Sequence, residues 1–74
     1  MPKIEIFTGP GCGYCTAAKA LLRERKLRFT ERDISDEAVR AELLKRLPRA
    51  RTIPQIFMDG EPIGGYDDLR HRLR

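Results

Sequence analysis

Apolar residues alternate with polar ones in some stretches of the 74-residue chain and recur every three or four positions in others. The alternation predicts a buried strand from Lys3 to Phe7 and further strands from Leu27 to Asp33 and from Ile53 to Met58. Asp59-Gly60 favours a two-residue hairpin turn, after which Pro62-Ile63 continues as a short edge strand. Four strands are therefore predicted, the last two of them antiparallel.

Three segments have the periodicity of amphipathic helices. The first spans Gly13 to about Lys26, the second begins near an N-cap at Ser35 and ends before Pro48, and the third is capped by Asp67 or Asp68. The apolar residues that these helices are expected to bury are Ala17, Ala18, Leu21 and Leu22 in the first, Val39, Leu43 and Leu47 in the second, and Leu69 and Leu73 in the third.

The predicted order is β-α-β-α-β-β-α, in a single small domain over residues 1–74. A strand–helix–strand crossover implies that the first two strands are parallel, with a right-handed connection. Together with the antiparallel hairpin, this predicts an α/β fold in which a four-stranded mixed sheet carries helices on its faces. Phe7, Phe29 and Phe57 are expected in the core.

The net charge is +4, and basic residues cluster at Arg23–Arg28, Lys45–Arg51 and Arg70–Arg74. Apolar residues at helical spacing interrupt each cluster, and no nucleic-acid-binding motif accompanies them. We therefore interpret the clusters, and Lys19, as solvated helix faces without chemistry. We expect no nucleic-acid partner, while attraction of an anionic small molecule or an acidic partner stays open.

The N-terminal residues contain no long apolar stretch, so we expect neither a signal peptide nor a membrane span. The cytoplasm is the expected location. Thiols there are mostly reduced, and a disulfide that does form is usually catalytic or redox-sensing.

The two cysteines of the chain, Cys12 and Cys15, flank Gly13-Tyr14 at the start of the first predicted helix. Free N–H groups and the positive end of the helix dipole favour a thiolate at Cys12, which is therefore the predicted nucleophile. Cys15 lies one turn further on and is the predicted resolving thiol. A zinc site would need a second pair of ligands, and the chain offers a single histidine, His71.

Three motifs occur together, in the order and spacing found in glutaredoxins: Cys12-Gly13-Tyr14-Cys15, Thr52-Ile53-Pro54 and Gly64-Gly65-Tyr66-Asp67-Asp68. From Lys3 to about Leu69 the chain resembles the small dithiol members of this family in bacteria. The resemblance implies a thioredoxin-like fold and a monomeric enzyme that reduces protein disulfides and glutathione mixed disulfides. It also implies glutathione as cosubstrate and no tightly bound cofactor.

The resemblance further implies a glutathione site that includes a cis peptide bond at Ile53-Pro54. The start of the last helix would hold the γ-glutamyl carboxylate, Asp68 would pair with the ammonium group, and Arg51, or Arg49 or Arg46 in its place, would meet the glycine carboxylate. The glutathione-binding residues implied in this way are Tyr14, Arg51, Thr52, Ile53, Pro54, Gly65, Tyr66, Asp67 and Asp68.

The chain departs from the family pattern at two positions. Many members carry a lysine where this chain has Gly9, and a redoxin reduced by thioredoxin reductase instead of glutathione is therefore one alternative. Many members carry a proline where this chain has Gly13, and some with a small residue there bridge an iron–sulfur cluster. The second alternative is thus a dimeric carrier of a [2Fe–2S] cluster ligated by Cys12 and glutathione.

Overall fold

The computed structural model describes residues 2–74. The elements in chain order are β1 (Ile4–Thr8), α1 (Gly13–Glu24), β2 (Thr30–Asp33), α2 (Glu37–Arg46), β3 (Gln55–Met58), β4 (Glu61–Gly64) and α3 (Tyr66–Arg72). The sheet order is β2-β1-β3-β4, in which β1 and β2 are parallel and the other two pairs are antiparallel. The predicted element order and mixed sheet are confirmed. None of the helices within residues 2–74 is long and apolar enough to cross a bilayer.

Strand β1 lies in the middle of the sheet, and all five of its residues are buried. Its alternate residues face two cores of unequal size. The larger core packs α1 and α3 on the sheet and contains Ile4, Ile6, Ala18, Leu22, Ile56, Met58 and Leu69. The smaller core lies under α2 and contains Phe7, Leu43 and Phe57. Phe29, predicted to be a core residue, is only partly buried at the edge of the larger core.

Four charged side chains cover the smaller core. The carboxylate of Glu5, whose side chain is 10% exposed, accepts hydrogen bonds from Arg46 at 3.0 Å and from Arg32 at 3.5 Å. Both guanidinium groups also bind Glu42 on α2, at 3.0 Å from Arg32 and 2.5 Å from Arg46. Both lie over the ring of Phe7, with 5.4 and 5.7 Å between the guanidinium carbon and the ring centroid. An ion-pair network, which consists of Glu5, Arg32, Glu42 and Arg46, thus joins α2 to the sheet across the smaller core.

Helix α1 ends at Glu24, two residues before the predicted end at Lys26. Lys26 has a positive φ of 58°, which stops the helix. The Leu27 N–H donates to the Leu22 carbonyl and the Lys26 N–H to the Arg23 carbonyl, each at 2.9 Å. This pair of hydrogen bonds is the Schellman motif, formed here with lysine where glycine is usual.

The predicted N-cap of α2 at Ser35 is wrong. Asp36 caps the helix instead, because its Oδ1 accepts the backbone N–H of Ala38 at 2.9 Å. The backbone N–H of Ser35 donates to Asp33 Oδ1 at 2.8 Å, which forms a turn between β2 and the helix. Asp36 therefore caps the helix with its side chain, while Ser35 takes part in the preceding turn through its backbone N–H.

Strands β2 and β3 begin later than predicted, at Thr30 and Gln55, because turn and loop backbone precedes each of them. The predicted hairpin turn is confirmed. Asp59 and Gly60 have φ values of 52° and 84°, the two positive values that a type I′ turn requires.

Candidate functional site

Cys12 and Cys15 form a disulfide where the chain leaves β1 and enters α1. Cys12 is the N-cap residue of α1, and its Sγ accepts the backbone N–H of Cys15 at 3.1 Å. Cys15 lies one turn inside the helix and is 2% exposed, whereas Cys12 is only partly buried. Cys12 is therefore the more accessible residue of the pair, and the roles predicted for the two thiols stay predictions.

The N-cap position gives the Cys12 sulfur a specific electrostatic environment. A helix start has N–H groups without intrahelical partners and a partial positive charge, and both stabilise an anion there. When the disulfide is reduced, a thiolate at Cys12 keeps the Cys15 N–H as its donor. Negative charge on sulfur is thus favoured at Cys12 and not at the buried Cys15, which suits Cys12 as nucleophile and as leaving group.

An open groove of about 320 Å³ lies next to the disulfide. The Ile53 carbonyl oxygen at its edge is 3.7 Å from Cys12 Sγ, and the Ile53-Pro54 peptide bond is cis, as expected. The groove is lined by Tyr14, Thr52, Ile53, Pro54, Gly65, Tyr66, Asp67 and Asp68. The structure thus brings together every residue of the predicted glutathione site except Arg51.

Two tyrosines form one wall of the groove. The rings of Tyr14 and Tyr66 lie with centroids 6.1 Å apart, and Tyr14 is 66% exposed. The Arg70 guanidinium lies over Tyr66, 5.8 Å from the ring centroid, and donates to Asp67 Oδ1 at 3.2 Å. These contacts place an aromatic surface directly beside the reactive sulfur.

The start of α3, which includes Tyr66, lines the groove with further residues. Gly65 is the N-cap residue of α3 and has no side chain to bond with, so the predicted cap at Asp67 is wrong, whereas Asp68 does cap the helix, from its third position. Asp68 stabilises the helix start from its first turn, where its Oδ2 accepts the Gly65 N–H at 3.0 Å. Gly64 has a φ of 107°, and a Cβ at this position would overlap the Asp68 carboxylate. A residue without a side chain at position 64 thus leaves the space that the carboxylate occupies.

The three arginines predicted to meet a carboxylate lie outside the groove lining. Arg51 and Arg49 are exposed and line a separate open surface with Pro48. The interpretation of Arg46 as a ligand residue is wrong, because its guanidinium binds Glu5 and Glu42 in the ion-pair network. Spacing along the sequence does not reveal this, since Glu5 and Arg46 are 41 residues apart.

A second cleft, of about 500 Å³, is lined by both cysteines, which are absent from the groove lining, and the two share no lining residue. Its charged side chains are Lys19, Glu31 and Asp33. Lys19, predicted to lie on a solvated helix face, is only 21% exposed, and its Nζ donates to Glu31 Oε2 at 2.8 Å. Lys19 follows Cys15 by four residues, and this spacing already placed it on the same face of α1.

The carboxylate of Glu31 has a second donor. The hydroxyl of Thr8, a residue that is 2% exposed, donates to Glu31 Oε2 at 2.7 Å. The hydrogen bond from Lys19, followed by that from Thr8, holds the pKa of Glu31 below its ordinary value. The pKa of Asp33 is also lowered, chiefly by the backbone N–H of Ser35. Both carboxylates are therefore charged at neutral pH.

The protein is similar to glutaredoxins in sequence and in structure. The family model described as Glutaredoxin matches residues 4–63. Glutaredoxin 3 of Escherichia coli strain K12 is 47% identical over 70 residues, which are 93% of this chain and 83% of that protein. A crystal structure of glutaredoxin 1 from Francisella tularensis complexed with cacodylate has a TM-score of 0.83 and 34% identity, with 99% of this chain and 93% of that chain covered. A buckwheat glutaredoxin–glutathione complex has a TM-score of 0.82 and 28% identity, with coverage of 99% and 69%.

Proposed function

Since this chain belongs to the glutaredoxin family and is a thiol–disulfide oxidoreductase with a thioredoxin-like fold, we propose that glutathione is its reductant. Its substrates are protein disulfides and mixed disulfides between proteins and glutathione. The observation that carries this proposal is the groove beside Cys12, which is lined by eight of the residues predicted to hold glutathione. The buckwheat relative, solved as a glutathione complex, supports the same ligand.

Glutathione lies in the groove as a short extended peptide with its sulfur toward Cys12. The Ile53 carbonyl, 3.7 Å from the Cys12 sulfur, is placed to pair with its backbone as a neighbouring strand would. The γ-glutamyl end lies against Gly65 and Tyr66. The Asp68 carboxylate accepts one hydrogen bond, from the Gly65 N–H, and has further acceptor sites. It can therefore accept from the glutathione ammonium as well.

Reduction proceeds by thiol–disulfide exchange at Cys12. With a glutathionylated protein, the Cys12 thiolate attacks the glutathione sulfur, the protein thiolate leaves, and a second glutathione thiolate releases oxidised glutathione from Cys12. With a protein disulfide, the Cys12 thiolate attacks one sulfur, the other protein sulfur leaves as a thiolate, and Cys12 is joined to the protein in a mixed disulfide. Cys15 then attacks the Cys12 sulfur, which releases the protein thiolate and leaves the Cys12–Cys15 disulfide.

The proposed setting is a monomer in the cytoplasm. Disulfides in that compartment are usually transient and catalytic, which fits a chain whose two cysteines form one reactive pair.

A resident iron–sulfur cluster does not fit the residues of this chain. Such a cluster is typically held by four sulfur ligands, and the chain has two cysteines, of which Cys15 is buried. Within residues 2–74 no group of three or more histidine, cysteine, aspartate or glutamate side chains converges. The cluster-bridged dimer therefore stays a prediction that depends on a second chain, and we derive no step through it.

The proposal is tested by supplying the enzyme with two different sources of electrons. Wild-type protein is given a glutathionylated peptide with glutathione, glutathione reductase and NADPH, and NADPH oxidation is followed. We expect turnover that depends on both enzyme and glutathione. A parallel reaction contains thioredoxin reductase and NADPH without glutathione. Turnover in this second reaction alone would overturn the proposal in favour of the redoxin alternative.

A further inference from the structure

The second cleft places three charges beside the reactive pair, and the reaction described above uses none of them. Lys19 projects from α1, while Glu31 and Asp33 project from β2. The Lys19 ammonium is fixed by Glu31 at 2.8 Å, and Glu31 is fixed in turn by the Thr8 hydroxyl at 2.7 Å. The residues from Gly9 to Gly13 that complete the cleft between β1 and α1 carry no charged side chain.

Helix geometry brings the Lys19 side chain toward the cysteines. Lys19 follows Cys15 by four residues, so the two side chains share one face of α1. Long side chains on a helix lean toward its N-terminus, and a lysine therefore covers the turn that precedes its own Cα. The turn that precedes Lys19 contains Cys15, and both residues line the same cleft.

The charge of the cysteine pair changes when it is reduced. The disulfide is neutral, whereas the reduced pair carries a thiolate at Cys12, as its N-cap position favours. A nearby cation stabilises the reduced form relative to the disulfide, and a nearby anion does the opposite. The Lys19 ammonium and the Glu31 carboxylate therefore have opposite effects on the equilibrium between the disulfide and the reduced cysteines.

We propose that the Lys19–Glu31 ion pair sets the reduction potential of the Cys12–Cys15 disulfide. Lys19 is the positioning residue that raises the potential by stabilising the thiolate, and Glu31 limits the rise by neutralising and anchoring Lys19. Asp33 acts in the same direction as Glu31. This inference deepens the proposed function, since it describes how readily the same pair accepts electrons from glutathione.

The equilibrium concerned is balanced in atoms and electrons. The disulfide takes two electrons from two glutathione thiols, and the Cys12–Cys15 bond breaks as the bond of oxidised glutathione forms. Of the two protons that the glutathione thiols give up, one is transferred to the Cys15 thiolate and one enters the solvent. Cys12 remains as the thiolate, and its negative charge lies in the cleft that Lys19 and Glu31 also line.

The test is the equilibrium constant of the Cys12–Cys15 pair in buffers of reduced and oxidised glutathione at pH 7. We expect Lys19→Gln to favour the disulfide about threefold, roughly 14 mV lower in potential, because one unit charge near the surface is removed. Glu31→Gln should favour the reduced form by about the same factor, and Asp33→Asn should act in that direction. Lys19→Arg should restore the wild-type value, since it retains the charge.

Glu42→Gln is the matched control, because Glu42 also pairs with a cation of a neighbouring element but does not line the cleft. It should leave the equilibrium constant unchanged. An ion pair that only braces α1 against β2 would be broken by either change, so Lys19→Gln and Glu31→Gln would lower the melting temperature without opposite shifts in potential. Shifts of the same sign, or none larger than that of Glu42→Gln, would overturn the proposal.

If glutathione is not the reductant, the same experiment gives a result that can be distinguished from failure of the ion-pair proposal. If the wild-type pair does not equilibrate with glutathione, the reductant is wrongly assigned. The same variants can then be compared in dithiothreitol buffers, where the opposite shifts are still expected. Absence of opposite shifts in both buffers contradicts the role of the ion pair whatever the reductant.

Discussion

At the scale of single residues, Cys12 and Cys15 have the same chemistry and different surroundings. Cys12 caps a helix and is accessible, while Cys15 is 2% exposed. We therefore expect Cys12→Ser to abolish reduction of both substrate classes. Cys15→Ser should abolish reduction of protein disulfides, which needs the resolving thiol, and retain reduction of glutathionylated peptide, which needs Cys12 alone. Steady-state rates on both substrates check this expectation. Activity in the Cys12→Ser protein would show that Cys12 is not the nucleophile.

Gly64 provides a second test at residue scale. A Cβ at position 64 would occupy the space of the Asp68 carboxylate, so Gly64→Ala should displace that carboxylate from the groove. We expect KM for a glutathione mixed disulfide to rise about tenfold, because a hydrogen bond to a charged group contributes ~1.5–3 kcal/mol, partly screened by solvent here.

Gly60→Ala is the control for the effect of Gly64→Ala on the backbone. Gly60 also has a positive φ, of 84°, but its Cβ would meet nothing within 4 Å. Both substitutions strain the backbone and should lower stability, whereas the KM effect is expected for Gly64→Ala alone. Equal KM values for the two variants would mean that Asp68 acts only on the start of α3.

At the scale of elements, the attachment of α2 should depend on pH. The hydrogen bond from Arg32, ahead of other causes, holds the pKa of Glu42 below its ordinary value of 4.5. The folded protein thus binds fewer protons than the unfolded chain at acidic pH. The stability that Glu42 contributes is fully present above about pH 4.5 and is lost as the pH falls through its lower folded-state pKa.

Thermal unfolding measured from pH 7 to pH 3 checks this expectation. Glu42→Gln should reduce the loss of stability on acidification, because the variant has no carboxyl to titrate at this position. Glu61→Gln, a change of an exposed carboxyl on β4 outside the network, should retain the acid sensitivity of the wild type. Identical profiles for Glu42→Gln and wild type would show that α2 does not depend on this carboxylate.

Periodicity predicted which elements form, but not where each one ends. The order of seven elements follows from alternation and helical repeats, which depend on local burial. Helix α1 ends because Lys26 has a positive φ. Residues other than glycine rarely have a positive φ, so a lysine in the sequence does not predict this helix end. The cap of α2 depends on whether Ser35 or Asp36 reaches a free N–H, and both have suitable side chains.

At the scale of the whole molecule, the site combines segments that are far apart in the sequence. Three motifs, from the start of α1, the turn before β3 and the start of α3, were enough to predict nearly all of the groove. The second cleft was missed because its charged residues belong to no motif. Lys19 lies on α1 and Glu31 on β2, so their contact depends on how the helix packs beside the strand, which spacing along the sequence does not show.

The unequal cores on the two faces of the sheet have a consequence for how the protein opens. Helices α1 and α3 bury seven core residues, whereas α2 covers three and also makes ion pairs with the sheet. Local opening should therefore begin at α2, and its backbone amides should exchange with deuterium before those of α1. Salt should accelerate this exchange, since it screens partly exposed ion pairs. Because the face released by α2 carries Glu5 and Arg32 beside its apolar rings, we expect the opened form to resist aggregation.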